Sequence, residues 1–348
     1  MVTNRTLGLV GFAGAAIGGV GLGLLTHRRA AGARRLIGDP EWAELHRPLP
    51  SGVHKVVSFD GTALHAEVSG PEGAPALLLV HGYGMGLRSW HYQRRDLPGE
   101  FRVIAYDQRG HGQSERAASG DYSIRALGRD VGAVLGALVS PPAPVVAAGH
   151  SLGGMSILSF VGSEPDRVAE RLAGVAFVGS TIGNVLAGGV AHTGVAALAA
   201  LEHTVMDRGR RMLGRERREE HADQPPADLS TVLTRAVAFG PDAVPAHVAF
   251  VEQLLLECPN TVKAELGPTV TALDLRDAPP LVTVPALVLV GEHDRLTPPA
   301  SARRLAASLP DACLVEIPGA GHMAPIEAHE MVTSQVRSFA RRVLAEAA

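Results

Sequence analysis

Cysteine is scarce in this chain. Cys258 and Cys313 are the two cysteines among 348 residues. Neither belongs to a Cys/His set with metal-ligand spacing, so no metal site is implied. Both are expected to be small buried hydrophobes. Charge is sparse as well: 19% of residues are charged against 46% hydrophobic, and the formal net charge is -3. No general surplus of positive charge favours nucleic acid as a partner. The clusters Arg208-Gly-Arg210-Arg211 and Arg215-Glu-Arg217-Arg218 run straight into Glu219-Glu220 and read as a solvated face. There is no internal repeat, and low complexity is confined to a glycine-rich start. What is present is enough apolar sequence for a large core, in a chain whose length suits one large domain with an insertion, or two domains.

The glycine-rich start comes first. Leu7–Thr26 carries no charge and is bounded by Arg5 and by His27-Arg28-Arg29. Such a run is long enough to span a bilayer. Gly14–Gly18 and Gly19–Gly23 give it small-xxx-small faces of the kind that pack closely in membranes. Three readings stay open: a membrane anchor, a secretory signal peptide and an apolar tail. Arginines follow the run directly where a cleavage site should be, which disfavours the signal peptide. The expectation is an anchor, with Arg28, Arg29, Arg34 and Arg35 placing the following domain on the cytoplasmic side. A cytoplasmic or secreted protein is the alternative.

After a linker at residues 36–50, Val53–Phe59 and Ala63–Val68 read as a hairpin around Asp60-Gly61. Ala76–Val80 is a continuous apolar run, as a strand buried on both faces would be. Further strands are expected at Phe101–Tyr106, Val145–Gly149 and Leu172–Val178, with helices at Ser89–Leu97, Ser123–Leu138 and Met155–Val161. This alternation predicts a mostly parallel sheet flanked by helices. It stops at residue 182. The next hundred or so residues hold helix-like runs at Val195–Met212, Leu229–Phe239 and Val244–Leu256, and no convincing strand. The sheet pattern resumes with Pro285–Gly291, a helix at Ser301–Ser308, a last strand at Ala312–Ile317 and a closing helix at Glu327–Glu346. The expected organisation is therefore an N-terminal segment (1–35), a core in two parts (36–181 and 283–348) and a helical insertion (182–282).

Chemistry concentrates at strand ends. Gly149-His-Ser151-Leu-Gly153 places a serine between small residues, where a tight strand-to-helix turn can lift its hydroxyl above the sheet edge. The Leu152 N–H then lies at a helix N-terminus, a place that stabilises anions. A serine needs a base, and the base needs an orienting group. Two downstream strand ends offer them: Glu292-His-Asp294 after one, Gly319-Ala-Gly-His322 after the other. The strand ends of an open α/β sheet share one rim, so Ser151, Asp294 and His322 can converge. Their chain order is the one expected for a serine on such a turn. Glu292 is the competing acid. His150, His111, His329 and Asp107 read as positional or structural residues.

Together with His81-Gly-Tyr83-Gly84 and Asp107-Gln-Arg-Gly-His-Gly-Gln-Ser114, these pieces resemble the α/β-hydrolase superfamily, in its serine-nucleophile, capped, esterase- or lipase-like form. The resemblance spans residues 76–325 outside the insertion. It implies Ser151 as nucleophile, His322 as base and acid, Asp294 as the orienting carboxylate, and an oxyanion hole from the backbone N–H groups of Tyr83 and Leu152. It also implies that residues 182–282 form a helical cap, and that no cofactor is required. A serine at the nucleophile position sets the chain apart from the epoxide hydrolases and haloalkane dehalogenases of that superfamily, which use a carboxylate there. The apolar insertion, with Phe250 and Met206 or Met212 as lining, suits an apolar carboxylic ester as the small-molecule substrate. Thioester, amide or carbon–carbon bond hydrolysis and cofactor-free perhydrolysis use the same triad and stay open. A catalytically silent binding protein on this fold is the reading from another class.

Overall fold

The computed structural model describes Leu36 and residues 38–141, 143–183 and 234–347. Leu7–Thr26 and its arginine flank, the run Val195–Met212 and the start of Leu229–Phe239 lie outside the described residues. Among the described residues, no helix is long and apolar enough to cross a membrane.

The apolar runs form the middle of one eight-stranded sheet, ordered β1-β2-β4-β3-β5-β6-β7-β8. β1 (Gly52–Val57) and β2 (Ala63–Ser69) are the expected hairpin, and β2 pairs antiparallel with β4 (Arg102–Tyr106). β3 (Ala76–Val80), β5 (Val145–His150), β6 (Leu172–Val178), β7 (Ala286–Gly291) and β8 (Ala312–Ile317) complete it in parallel. Every residue of β3, β5, β6 and β7 is buried. Such strands need a helical layer on both sides.

Two apolar clusters supply those layers, and the strands divide between them with the period of two that alternating side chains impose. On one face Leu78, Val80, Ala147, Phe177 and Val288 pack on α3 (Ile124–Leu138), α4 (Leu152–Ser163) and α8 (Pro299–Ser308). On the other, Leu77, Leu79, Val146, Ala176 and Leu289 pack on α10 (His329–Glu346), through Val332, Val336, Phe339 and Val343. α1 (Pro40–Leu45) and α2 (His91–Asp96) lie before β1 and β4, α5 (Pro165–Arg171) before β6, and α9 (Ala324–Glu327) before α10. The closing helix is thus two helices, because Ala328 leaves helical geometry at φ -124° and ψ 39°.

Between β6 and β7 the described chain is helical over residues 234–238, then forms α6 (Pro245–Glu257) and α7 (Asn260–Thr271). α7 was not legible in the sequence: it contains Pro268 and buries two residues, Val262 and Leu266. Phe250 of α6 is fully buried, packed with Leu45, Met85 and Tyr92. The cysteines divide. Cys258 is buried as expected, whereas Cys313 is exposed. Cys313 lies on β8, an edge strand paired with β7 alone, so one side of it has no covering layer of sheet.

Candidate active site

The turn from β5 into α4 is as tight as its glycines allow. A Cβ at Gly149 would lie 2.4 Å from the Gly154 nitrogen, and one at Gly153 would lie 2.1 Å from the Val80 carbonyl oxygen. Neither could be accommodated without moving backbone. The close passage of α4 over β5 and β3 holds Ser151 at φ 50° and ψ -116°. Among the described residues it is the one non-glycine with positive φ. A conformation of this kind costs roughly 1–3 kcal/mol and persists only where its surroundings enforce it. Here the Ser151 N–H donates to the Val178 carbonyl (2.9 Å), and the Ser180 hydroxyl donates to the Ser151 carbonyl (2.9 Å). The residue is partly exposed at the carboxyl ends of the strands. Leu152 is the first residue of α4, so its N–H has no acceptor within the helix.

Asp294 and His322 are brought together in direct contact. His322 Nδ1 lies 2.9 Å from Asp294 Oδ2, and both side chains are buried. The carboxylate accepts three more hydrogen bonds: from the Leu296 N–H (2.9 Å), the Thr297 N–H (2.8 Å) and the Thr297 hydroxyl (2.8 Å). Four donors on two oxygens fix the carboxylate's orientation. A carboxylate can only accept, so Nδ1 carries a proton toward Asp294, and in the neutral form of the ring Nε2 is the atom with a free lone pair. Next to this pair runs Gly179, where a Cβ would lie 3.2 Å from Asp294 Oδ2 and 3.3 Å from His322 Nδ1. Gly179 directly follows Val178, the acceptor for the Ser151 N–H. The three strand ends thus meet on one rim. Among the described residues, the Ser151 hydroxyl makes no hydrogen bond. Contacts between a serine and its base are commonly loose before substrate is bound.

The surrounding residues hold this frame. His150 is buried, and its Nε2–H donates to the His322 carbonyl (2.9 Å), which ties β5 to the loop bearing His322. Burial pushes the His150 imidazole down to about 3, so it stays neutral. His81 Nε2 accepts from the Gln108 N–H (2.9 Å), and Gln108 in turn accepts from Ser156 of α4 (2.9 Å). His111, held at about 4 by burial, accepts from the Gly84 N–H (3.1 Å). Asp107 braces the same turns by accepting from Leu87 and Gln113 N–H groups. Arg109 makes a fully buried bidentate pair with Asp130 of α3 at 2.7 Å on each side. Glu292 does not reach His322: it accepts from the Gly319 N–H (3.0 Å) and is largely exposed. His329 stacks on Tyr92, with ring centroids 3.7 Å apart, as a packing residue.

The loop with Tyr83 is tied to the helices that follow β6. The Tyr83 hydroxyl donates to the Lys263 carbonyl of α7 (2.8 Å), and burial pushes the phenol up to about 12. Thr297, Gln108 and Glu327 escaped the sequence reading. A signal for Thr297 exists in Asp294-Arg-Leu-Thr297-Pro298, the spacing at which an aspartate accepts from N–H groups two and three residues on. Gln108 and Glu327 act across the fold, and no local pattern marks them.

The Alpha/beta hydrolase family model matches residues 77–334. A thermophilic esterase from Thermogutta terrifontis superposes with a TM-score of 0.66 at 26% identity, over 84% of this chain and 99% of that one. The enol-lactonase from Burkholderia xenovorans LB400 gives 0.64 at 28% identity, over 82% and 99%. The dihydrolipoyllysine-residue acetyltransferase component of the acetoin cleaving system of Pseudomonas putida is 32% identical over 78% of this chain. The match covers 65% of that protein's length, and 40% or less of the length of several other curated relatives.

Proposed function

The chain belongs to the alpha/beta hydrolase family, and we propose that it is a serine hydrolase that cleaves a carboxylic ester through an acyl-enzyme. The observation that carries this reading is the strained Ser151 at the start of α4, on the same rim of strand ends as a buried histidine already bonded to an aspartate. Likeness to an esterase and an enol-lactonase supports the bond type, since a lactone is a cyclic ester.

In this reading His322 Nε2 removes the proton of the Ser151 hydroxyl as Oγ attacks the ester carbonyl. The carbonyl π electrons move to oxygen, and the backbone N–H groups of Leu152 and Tyr83 hold that oxyanion. Donors of this kind are worth about 3–4 kcal/mol each in the transition state. The tetrahedral intermediate collapses and the C–O bond to the leaving alcohol breaks. The imidazolium protonates that alcohol, while Asp294 stabilises the charge on the ring. Water then enters, gives a proton to His322 Nε2 and attacks the acyl carbon. Ser151 leaves with that proton and the free acid departs. The Ala-, Val- and Leu-rich helical runs between β6 and β7 favour an apolar acyl group.

The test is a panel of p-nitrophenyl esters of increasing acyl length, run beside simple lactones, thioesters and anilides, on the wild type and on Ser151→Ala. Ester or lactone turnover that Ser151→Ala lowers by about a thousandfold or more is expected. Turnover confined to thioesters or anilides, or a Ser151→Ala protein as active as the wild type, would contradict the reading.

A further inference from the structure

The loop that carries His322 is held from one side by β8 and from the other by the chain just before α6. Residues 238–240 run directly against residues 319–323. The Met323 N–H donates to the Ala238 carbonyl at 2.8 Å. The two backbones touch closely enough that a Cβ at Gly321 would lie 2.4 Å from the Phe239 carbonyl carbon. Arg295, immediately after Asp294, donates to the Ala236 carbonyl. One side chain joins both strands of this contact. Glu327 Oε2 accepts from the Gly240 N–H (2.7 Å), and Glu327 Oε1 accepts from the Gly321 N–H (2.9 Å), the residue before His322.

We propose that Glu327 is a positioning residue, a carboxylate clamp that fixes the His322 loop against the chain leading into α6 and so sets the placement of the base. The inference rests on the proposed role of His322. It requires an acceptor on both oxygens. A carboxylate provides that, whereas an amide turns an NH2 donor toward one of the two N–H groups and leaves it unsatisfied. Glu327 sits at the end of α9, five residues past His322, and has no contact with Ser151 or Asp294 among the hydrogen bonds of the described residues. It therefore acts through the backbone of the His322 loop. The clamp also links the base to the chain between β6 and β7. A shift of that chain on substrate binding would move Gly240, and with it the loop before His322.

The experiment compares full-length wild type with Glu327→Gln and Arg295→Gln. Thermal melting reports folding, steady-state kinetics on the best ester give kcat and KM, and a fluorophosphonate gives the rate of Ser151 modification. For Glu327→Gln, a folded protein with kcat and the modification rate lowered about 10- to 100-fold and KM within about twofold is expected, because displacing a base by a fraction of an ångström acts on the chemical step. For Arg295→Gln the same direction is expected at about threefold. Equal kcat and modification rates in wild type and a folded Glu327→Gln would overturn the clamp. So would a change confined to KM. If Glu327→Gln does not fold, an unchanged kcat in Arg295→Gln overturns it. A wild type that is not modified at all refutes the serine-hydrolase reading itself, a separate outcome.

Discussion

Two helices of similar length face the same rim and are held very differently. α4 carries Ser151 at its start and buries ten of its twelve residues. α7 meets the Tyr83 loop and buries two of twelve. α4 is pinned against both the sheet and α3, its glycine-mediated contacts with β3 and β5 leaving no free space. α7 rests on Val262, Leu266, and side-chain-to-backbone hydrogen bonds from Tyr83 and from its own Thr269 to the Tyr122 carbonyl. Local opening follows the density of buried apolar contacts. The part of the rim that holds Ser151 is thus built into the core, and the helix over the Tyr83 loop is attached at its edge.

The sharpest way to break that contrast is steric. Gly153→Ala puts a methyl group 2.1 Å from the Val80 carbonyl, in backbone that cannot yield, and is expected to cost roughly 4 kcal/mol or more in a urea melt. A destabilisation below about 1 kcal/mol would show that α4 is not locked to β3.

Acid attacks the same region. Burial holds the imidazoles of His81, His111 and His150 below their ordinary range, to about 4 for His111 and about 3 for His150. The unfolded chain therefore binds protons below pH 6.5 that the folded one refuses. The stability these groups contribute is complete above pH 6.5 and is lost as pH falls toward their folded values. Glu327, raised by burial to about 7, works the other way: between pH 7 and 4.5 the folded state takes up its proton first. Three groups against one lower the stability on balance between pH 7 and pH 5, and the lowered imidazoles of His91 and His329 act in the same direction. Urea midpoints at the two pH values measure it, and a midpoint that rises toward pH 5 would contradict this balance.

The reach of the sequence follows the same division. The elbow around Ser151 was legible because its whole cause, small residues between an apolar strand and a helix, lies within ten positions. The strand ends bearing Asp294 and His322 were legible because chain order and the shared rim of a parallel sheet bring them together. α7 was not: Gly267 and Pro268 argue against a helix, and its two buried side chains give almost no periodic signal. The clamp on Glu327 and the Gln108 bridge depend on partners 87 and 48 residues away, which no local pattern contains. Cys313 was misread because burial was assigned from residue type, whereas position on the edge strand β8 decides it.

Smaller changes probe the attachment of α7. Tyr83→Phe removes one hydrogen bond to the Lys263 carbonyl and is expected to cost about 1 kcal/mol, with faster hydrogen exchange in α7 and none in α4. Equal effects on both helices would show that they open as one unit. Gly267→Ala has nothing within 4 Å of the new methyl group and is expected to stabilise by up to about 1 kcal/mol, the opposite sign to Gly153→Ala. A loss of stability there would mean that α7 is packed more closely than its two buried side chains indicate.

The most direct measurement is peptide mapping of the folded protein after reaction with a fluorophosphonate. One adduct on the peptide containing Ser151, absent from Ser151→Ala and slowed in His322→Ala, is the outcome expected of a serine activated at the start of α4. A folded protein that takes up no label, or one labelled equally when Ser151 is replaced, would contradict it.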